Sequence, residues 1–317
     1  MKLGAFLDLR NPEPWRRPWD THYRQWLERC TALDEMGADA VWLTEHHFFD
    51  DGYLPQPLTL AAAIAATTRR VRVGTAVLLG ALRSPVHIAE EAALVDLVSG
   101  GRLELGFGAG YREVEHRAFG SEFRDRRRRV EETVEEVRHL HATGGISPLP
   151  LQRPIPMWLG YQGPHGARRA GQLGVGLLSL DRRLLDPYRD GLRDGGHQPQ
   201  VAQMGGLVEI VVADDPEEAA IRIAPHREHQ QRTYRDAHGG GVDEVEAPIT
   251  TTPDGAGLAV LTVDDAVTRI RRLTDGLPVA HAYVWASIAG MPDDLVERHL
   301  ELMFTQVAPA VRAATGP

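Results

Sequence analysis

The sequence predicts an α/β protein folded as a single (β/α)8 barrel. Eight short apolar runs of the kind that form buried strands alternate with stretches of helical periodicity, and this alternation is the sequence form of a closed parallel barrel. The length of 317 residues fits one such barrel, although length alone also allows two smaller domains. No internal repeat is evident beyond the alternation, so we predict one domain over residues 1–317.

Four strand–helix units are predicted in the first half of the chain. The strands are apolar runs, and the helices carry apolar residues three and four positions apart. A glycine after the first helix and a proline at the start of the third mark helix ends. The predicted elements are a strand at Leu3–Leu9 with a helix that stops at Gly37, a strand through Trp42 with a helix at Leu58–Thr68, a strand at Val71–Leu79 with a helix at Pro85–Ser99, and a strand marked by Leu103, Leu105 and Phe107 with a helix on the stripe Val130, Val134, Val137 and His141.

The second half of the chain is less regular and predicts four more strands. The strands are Ile155–Leu159, Val175–Leu180, Gly206–Ala213 and His281–Ile288, and the helices are Ala167–Leu173, one that opens with Asp214–Glu218, Val263–Leu273 and Asp293–Val307. Residues 226–257 are glycine-rich towards their end and have no clear period. We predict that this stretch is a mobile insertion.

The composition argues against several classes of partner. A hydrophobic fraction of 43% with 25% charged residues is typical of a soluble globular protein. No run approaches the roughly 20 apolar residues that a membrane helix needs, and the N-terminus has no signal-peptide layout, so we predict no membrane partner. The net charge of -9 argues against a nucleic-acid partner. Cys30 is the single cysteine, which fits a reducing cytoplasm, where we expect the protein.

A carboxylate and two adjacent imidazoles follow the second predicted strand, in Glu45-His46-His47. Side chains alternate along a strand. If Val41 and Leu43 pack outward against helices, His46 points inward at the C-terminal end of the barrel, where active sites lie. We therefore predict that His46 is catalytic, with a histidine that only caps the strand as the alternative. Glu45 and His47 are predicted to face the helices and to hold His46 in position.

Two glycine-rich segments follow later strands. Gly106–Gly110 lacks the spacing of a dinucleotide-binding fingerprint, so we interpret its glycines as letting a flat ring approach the backbone. Leu159–Ala167 runs from a strand into a helix, and the N–H groups of such a turn suit an anion, although a plain strand-to-helix turn is the alternative.

Charged and metal-binding residue types give weaker signals. Arg127 and Arg128 lie four residues before Glu131 and Glu132, a spacing that predicts pairing along a solvated helix face rather than a nucleic-acid site. The histidines form no metal-ligand spacing with carboxylates or with Cys30, so we predict no metal site.

Taken in order, these motifs resemble those of the bacterial luciferase-like family of flavin-dependent monooxygenases and related oxidoreductases. The resemblance implies a TIM barrel that carries a flavin at its C-terminal mouth, with an insertion after strand seven that acts as a lid. The matching segments are Glu45-His46-His47-Phe48, Val73-Gly74-Thr75-Ala76-Val77, Leu94–Arg102, Leu105–Tyr111, Phe119-Gly120 and Gly290-Met291-Pro292.

The family resemblance also implies an activity and partners. It implies a monooxygenase that uses reduced FMN and molecular oxygen to oxidise a small organic substrate through a C4a-peroxyflavin, with a separate flavin reductase as the source of reduced FMN. A deazaflavin coenzyme replaces FMN in one branch, so a deazaflavin-dependent dehydrogenase or reductase is an alternative. A non-catalytic partner subunit of a heterodimer is a second alternative. Family members pair through helices two and three, so a homodimer is expected.

Site residues are implied by position. His46 falls on the histidine near the reactive edge of the flavin. Ala76-Val77 matches a non-prolyl cis peptide beneath the flavin ring, with an ordinary trans strand as the alternative. Ala109 stands where the luciferases carry an arginine that meets the FMN phosphate. Arg112 substitutes for it, or the phosphate is held differently. The remaining implied cofactor-binding residues are Gly108 and Tyr161 together with Gln162, Gly163 and Gly166, which align with the family's phosphate loop.

Overall fold

The computed structural model describes residues 1–237 and 249–315 of the chain. Strands and helices alternate through most of these residues, as the sequence predicts. The strands are β1 (Lys2–Leu7), β2 (Ala40–Leu43), β3 (Arg72–Thr75), β4 (Leu78–Leu79), β5 (Leu103–Gly108), β6 (Met157–Leu159), β7 (Gly176–Leu178), β8 (Met204–Val208), β9 (Ile210–Val212), β10 (Ala259–Leu261) and β11 (Val279–Trp285).

The helices connect the strands, and in the described ranges none is long and apolar enough to cross a membrane. A π-helical turn at Met303–Val307 joins the last two helices. The helices are α1 (Trp19–Met36), α2 (Pro57–Thr67), α3 (Pro85–Ser99), α4 (Glu113–Ala118), α5 (Arg126–Thr143), α6 (Gly163–Gln172), α7 (Leu185–Asp194), α8 (Pro216–Ala237), α9 (Val263–Thr274), α10 (Asp293–Leu302) and α11 (Ala308–Thr315).

The parallel strands close into a barrel. Their order is β3-β2-β1-β11-β8-β7-β6-β5, and pairing between β3 and β5 closes the ring, while β4 continues β3 along β5. The predicted (β/α)8 barrel is therefore confirmed. Because all the strands run in the same direction, their C-terminal ends meet at one mouth, which is where barrels of this kind place their active sites.

Large aromatic rings fill the barrel interior. The ring of Trp42 on β2 lies 6.2 Å from that of Trp158 on β6 and 5.2 Å from that of His281 on β11. Glycines on neighbouring strands leave room for them: a Cβ at Gly74 would lie 2.6 Å from the Trp42 ring, and one at Gly176 would lie 2.2 Å from the Trp158 ring. With Trp42 inside, strand alternation directs its neighbours outward, as the sequence predicts.

The predicted third strand, Val71–Leu79, is divided in two. β3 ends at Thr75, the Ala76-Val77 peptide bond is cis, and β4 resumes at Leu78. The family resemblance implied a cis bond at this position, and the structure has one.

The predicted seventh strand, Gly206–Ala213, was wrong as a single element. β8 pairs in the barrel with β7 and β11, whereas β9 leaves it and pairs with β10 in a separate parallel sheet. The buried imidazole of His299 accepts the Val212 N–H at 2.8 Å and lies 2.9 Å from the Trp285 carbonyl, and burial lowers the pKa of His299 to about 4. Only Glu209 interrupts the apolar run at the break, which an ordinary strand with one exposed face also allows. The partner of β9, β10, lies about fifty residues later, so the local pattern did not indicate the division.

Helix α8 occupies the start of the predicted insertion at 226–257. The helix continues to Ala237, so residues 226–237 are helical, and residues 238–248 lie outside the described residues. The sequence did not predict that α8 extends to Ala237. The buried face of α8 is apolar at Ala219 and Ile223 but polar at His226 and Gln230, and this change of polarity hides the helical period. The mobility of 226–257 and its action as a lid stay predictions.

Candidate active site

A cavity of about 580 Å³ opens at the barrel mouth, between the segments that follow β2, β3, β5 and β6. Its size is within the range of small-molecule sites. The structure brings together at this cavity all but one of the residues that the sequence predicted for the site, and His47 lies behind them. The predicted residues that line the cavity are Glu45, His46, Ala76, Val77, Gly108, Tyr161, Gln162, Gly163 and Gly166.

One end of the cavity is formed by His46 and a carboxylate. His46 is buried, and its Nδ1 lies 3.0 Å from Oε1 of Glu115 on α4. The same oxygen accepts the His47 backbone N–H at 2.8 Å, and the Glu115 side chain is fully buried. Glu115 therefore fixes both the ring of His46 and the backbone that follows it.

The charge states of this pair follow from burial and hydrogen bonding. Burial alone would raise the pKa of Glu115, but the hydrogen bonds from His46 and His47 outweigh it and hold that pKa below its usual range. Burial lowers the pKa of His46, against the opposing effect of Glu115. Near neutral pH the pair is thus a carboxylate and a neutral imidazole, with Nδ1–H donating to Glu115 and the Nε2 lone pair left as a proton acceptor.

Aromatic rings surround His46. The ring centroids of Tyr53 and Tyr111 lie 4.9 Å from that of His46, and the ring of Phe49 lies 5.4 Å away. Within residues 1–237 and 249–315, no hydrogen bond to Nε2 of His46 is found. His46 is therefore a buried imidazole with one nitrogen committed and an apolar wall around it, an environment that permits proton transfer with little access of water.

Sequence reasoning found His46 but missed Glu115. Glu115 lies 69 residues further along the chain, and α4 also carries Glu113, which is exposed. Nothing in the local pattern separates these two carboxylates, because only tertiary packing decides which one reaches His46.

Glu45 does not lie where the alternation argument put it. β2 ends at Leu43, so residues beyond it are not bound by the alternation of a strand, and Glu45 lines the cavity. Its Oε1 accepts from Nε2 of His47 at 3.0 Å and from Arg83 at 2.7 Å, and its Oε2 accepts the Leu79 N–H at 2.7 Å. Glu45 thus links the end of β2 to β4 and holds the ring of His47.

The Val77 side chain lies in a cradle formed by two glycines. A Cβ at Gly108 would lie 2.2 Å from Cγ2 of Val77, and one at Gly160 would lie 2.6 Å from its Cγ1. The sequence interpretation gave Gly108 the role of admitting a flat ring, but in the structure the missing side chain makes room first for Val77. The valine held in this way lines the cavity.

The opposite end of the cavity is positively charged. Arg126 and Arg127 at the start of α5, and His165 in the first turn of α6, line it. The hydroxyl of Tyr161 donates to the Arg127 carbonyl at 3.0 Å and joins the two helix starts. The Arg127 side chain is exposed and makes no hydrogen bond or ion pair with the described residues. Arg126 and Arg127, together with His165 and the first N–H groups of α6, form a site suited to an anion.

The predicted pairing along α5 is half right. Arg128 donates to Glu132 at 2.7 Å, but Glu131 bonds to Arg169 of the neighbouring helix α6, at 2.5 Å, instead of to Arg127. Because α6 supplies a competing arginine, Arg127 is left at the cavity, which the spacing within one helix could not reveal.

Arg112, the candidate substitute for an arginine at position 109, contacts other groups in the structure. Its guanidinium donates to the His47 carbonyl, lies 3.5 Å from Glu115 and stacks 4.2 Å from the ring centroid of Phe49. These contacts place it at the His46 end, away from the cationic end. Among the described residues, no group of three or more His, Cys, Asp or Glu side chains is arranged to hold a metal ion.

Comparison with known proteins identifies the family of this chain. The model of the luciferase-like monooxygenase family matches residues 1–259. The chain belongs to this family. An uncharacterized relative, protein y4wF of Sinorhizobium fredii, is 31% identical over 293 residues, 84% of this chain and 85% of that protein. An F420-dependent glucose-6-phosphate dehydrogenase of Amycolatopsis mediterranei is 26% identical over 294 residues, 86% of this chain and 83% of that protein.

Solved structures agree with the family. A monooxygenase from Streptomyces bottropensis has a TM-score of 0.82 at 25% identity and covers 98% of this chain and 99% of its own. An F420-dependent secondary alcohol dehydrogenase has a TM-score of 0.77 at 18% identity over 98% of this chain and 99% of its own. A type II Baeyer–Villiger monooxygenase from Pseudomonas putida, solved with FMN, has a TM-score of 0.72 at 17% identity over the same shares. The last two are similar to this chain in fold alone. The resemblance seen in the motifs is confirmed.

Proposed function

We propose that this luciferase-like protein is a flavin-dependent monooxygenase that uses reduced FMN and molecular oxygen to oxidise a small organic substrate. One observation carries the proposal: a single cavity joins a neutral, buried imidazole at His46 to a cationic, N–H-rich end at Arg127 and α6. FMN has two matching parts, because it joins a flat aromatic ring system to a phosphate anion.

The residues of the cavity fit the two parts of FMN. Arg126, Arg127 and His165, with the first N–H groups of α6, would hold the phosphate. The segment from Ala76 to Val77, with Gly108 beneath it, would support the ring. A reduced flavin, when bound, supplies two electrons to oxygen, so that one oxygen atom enters the substrate and the other leaves as water.

His46 would handle the proton in this reaction. Its Nε2 is the ring nitrogen that remains available, because Nδ1 is committed to Glu115. A neutral imidazole can accept a proton from one group and return it to another. Glu115 would keep the ring in the required tautomer and orientation, and the rings of Tyr53 and Tyr111 would limit the entry of water.

Anaerobic titration followed by exposure to oxygen tests the proposal. Reduced FMN is added to the protein without oxygen while its absorbance and fluorescence are followed, and oxygen and candidate substrates are added afterwards. We expect saturable binding of reduced FMN and oxygen uptake coupled to an oxidised product. The proposal is wrong if reduced FMN does not bind, or if product forms equally well without oxygen.

A deazaflavin-dependent dehydrogenase or reductase is the second candidate. The F420-dependent glucose-6-phosphate dehydrogenase matches 86% of this chain. A flavin-dependent trigonelline monooxygenase of Acinetobacter baylyi, another relative, matches 48% of it. Ala109 also stands where the luciferases carry an arginine that meets the FMN phosphate, and its absence keeps a deazaflavin coenzyme as an alternative to FMN. In this case hydride would move without oxygen, and Nε2 of His46 would accept a proton from the substrate. Equilibrium titration with each reduced cofactor distinguishes the two candidates.

We also propose a homodimer through α2 and α3. α3 exposes apolar side chains at Val86, Leu94 and Val98, each between 43% and 53% exposed, which is unusual for a solvated helix face. Sedimentation of the purified chain tests the dimer, with Leu94→Glu expected to give monomers. Turnover by that homodimer, supplied by a separate flavin reductase, would eliminate a role as a non-catalytic partner subunit. A cytoplasmic location stays a prediction.

A further inference from the structure

A cluster of buried polar side chains lies beside His46, at the ends of β1 and β2. Its centre is Arg10, whose side chain is fully buried. Nη1 of Arg10 donates to Oδ2 of Asp51 at 3.2 Å and to the hydroxyl of Thr233 on α8. The guanidinium lies against two aromatic rings, 4.5 Å from the centroid of Tyr53 and 4.6 Å from that of Tyr234 on α8, and these rings are inclined at 75° to each other. Arg10 therefore joins α8 to the segment that follows β2.

Tyr53 contacts both Arg10 and His46. Its ring meets the His46 ring edge-on, with centroids 4.9 Å apart, and its hydroxyl lies 2.9 Å from that of Tyr234. Tyr53 lines the cavity, so one face of the aromatic wall around His46 rests directly on the guanidinium of Arg10. The contacts run without interruption from α8 through Arg10 and Tyr53 to His46.

Backbone hydrogen bonds hold residues 51–54 between β1 and His46. The His46 N–H donates to the Leu54 carbonyl at 3.1 Å, and the Leu54 N–H donates to the Asp8 carbonyl at 3.1 Å. On the other side, the Asn11 N–H donates to the Asp51 carbonyl at 2.7 Å. A change in this segment is therefore transmitted to the backbone of His46 as well as to its ring.

Two features of Arg10 are not explained by folding stability alone. Burying a guanidinium removes it from water at a cost that pairing only roughly offsets, so an apolar side chain would often serve stability equally well. The residue before it, Leu9, is buried and has a φ of 55°, a left-handed conformation that is unfavourable for leucine. Strained backbone of this kind is concentrated at functional sites.

We propose that Arg10 is a positioning residue of the His46 site, holding Tyr53 against the His46 ring and fixing that wall to α8 through Thr233 and Tyr234. The proposal rests on the proposed function only in taking His46 as the reacting group. Arg10 acts in two ways. Its planar guanidinium supports the ring of Tyr53, and its positive charge, with that of Arg112, opposes protonation of His46, while Glu115 favours it.

The pKa of His46, measured by NMR of the imidazole in the protein without cofactor, tests the proposal. His46→Asn assigns the resonance. We expect Arg10→Met to shift the titration of His46 to higher pH, because a nearby positive charge and part of the water-excluding wall are lost. Arg10→Lys should bring the titration only part of the way back to that of the wild type, since lysine returns the charge without the planar group that lies against Tyr53.

Arg29→Met is the matched control. Arg29 is also buried, pairs with Asp293 and Glu297 and stacks 5.0 Å from Trp26, but the described residues include no contact between it and Tyr53 or His46. A purely structural role for buried arginines would lower the thermal stability of both variants and leave the His46 titration unchanged in both. We expect only Arg10→Met to move it.

Tyr53→Leu provides a second, independent variant. It keeps Arg10 and removes the ring that passes the contact to His46, so we expect broadening or loss of the protected Nδ1–H signal of His46, which is bonded to Glu115 in the wild type. The proposal is overturned if folded Arg10→Met and Tyr53→Leu both leave the His46 titration and this signal as in the wild type. If Arg10→Met does not fold, Arg10→Lys and Tyr53→Leu decide in the same way. No flavin is present in these measurements, so their outcome is distinct from any failure to bind FMN.

Discussion

The two ends of the cavity are built in opposite ways. At the His46 end, buried groups from α4, α8 and the segments that follow β1 and β2 hold one another through hydrogen bonds between residues far apart in the chain. At the cationic end, the first turn of α5 supplies the charges and that of α6 supplies backbone N–H groups, and Arg127 and His165 are exposed. The difference indicates that one end is fixed before any ligand arrives, as proton transfer requires, whereas the other has side chains free to close on an anion.

The largest expected effect is a loss of kcat when His46, but not His165, is replaced. His46→Asn should lower kcat by a factor of about 10²–10⁴, which is the usual contribution of a positioned acid–base group, and should leave cofactor binding nearly unchanged. His165→Asn should weaken cofactor binding and leave kcat nearly unchanged. Steady-state kinetics and binding titrations of both variants measure this. Equal losses of kcat in the two variants would remove the distinction between the ends.

The pH dependence of turnover tests the state of the His46–Glu115 pair. Burial lowers the pKa of His46, so the neutral imidazole should persist below the ordinary histidine pKa of about 6.5, and the rate should fall only at lower pH. In Glu115→Gln the carboxylate that favours the protonated ring is gone, so the acid limb should move to still lower pH, with a lower kcat because the ring is less well oriented. A limb that moves to higher pH in this variant would contradict the assigned charges.

The charges at the cationic end give the next effect. Arg127→Met should raise the Kd of the cofactor about tenfold or more, the usual effect of losing a charge-assisted hydrogen bond of ~1.5–3 kcal/mol, with kcat unchanged at saturation. Arg128→Met, one residue along and paired with Glu132 on the outer face, is the control and should bind as the wild type does. Added salt should weaken binding in the wild type more than in Arg127→Met. Similar Kd values for the two variants would exclude Arg127 from the anion site.

Two glycine substitutions are expected to have the smallest effects, and for different reasons. An added Cβ at Gly108 would overlap Val77, so Gly108→Ala should cost ~1–3 kcal/mol of stability and disturb the cavity floor. Gly163 has a φ of 75° with open space around its Cβ position, so Gly163→Ala should cost only ~1–2 kcal/mol from backbone strain. Thermal unfolding and cofactor titration compare them. Loss of binding in Gly163→Ala with none in Gly108→Ala would reverse this assignment.

The contrast between the two ends also explains what the sequence could predict. The barrel followed from the alternation of strands and helices, and His46 followed from its place after β2, even though the strand ends at Leu43. The turn that contains Gly163 and Gly166 followed from the sequence because a strand-to-helix turn is local. Glu115, Arg10 and Tyr53 were missed as site residues because nothing in the sequence around them marks which carboxylate, guanidinium or ring will reach His46.

Arg127 was missed for a related reason. The spacing of four residues predicted a partner for it within α5, and the true partner of Glu131 is Arg169 on the next helix. Pairing between helices depends on how they pack on the barrel, which no pattern within one helix contains. The division of β8 from β9 was missed in the same way, because the partner strand β10 is distant in sequence.

Binding of reduced FMN and of reduced riboflavin, which lacks the phosphate, tests the central claim of a divided cavity most directly. Each is titrated anaerobically into the wild type and into Arg127→Met. The division predicts that the wild type binds FMN about tenfold or more tightly than riboflavin, and that Arg127→Met reduces this preference while riboflavin binding stays the same. Equal binding of the two flavins by the wild type, or a preference for FMN that is unchanged in Arg127→Met, would contradict the account.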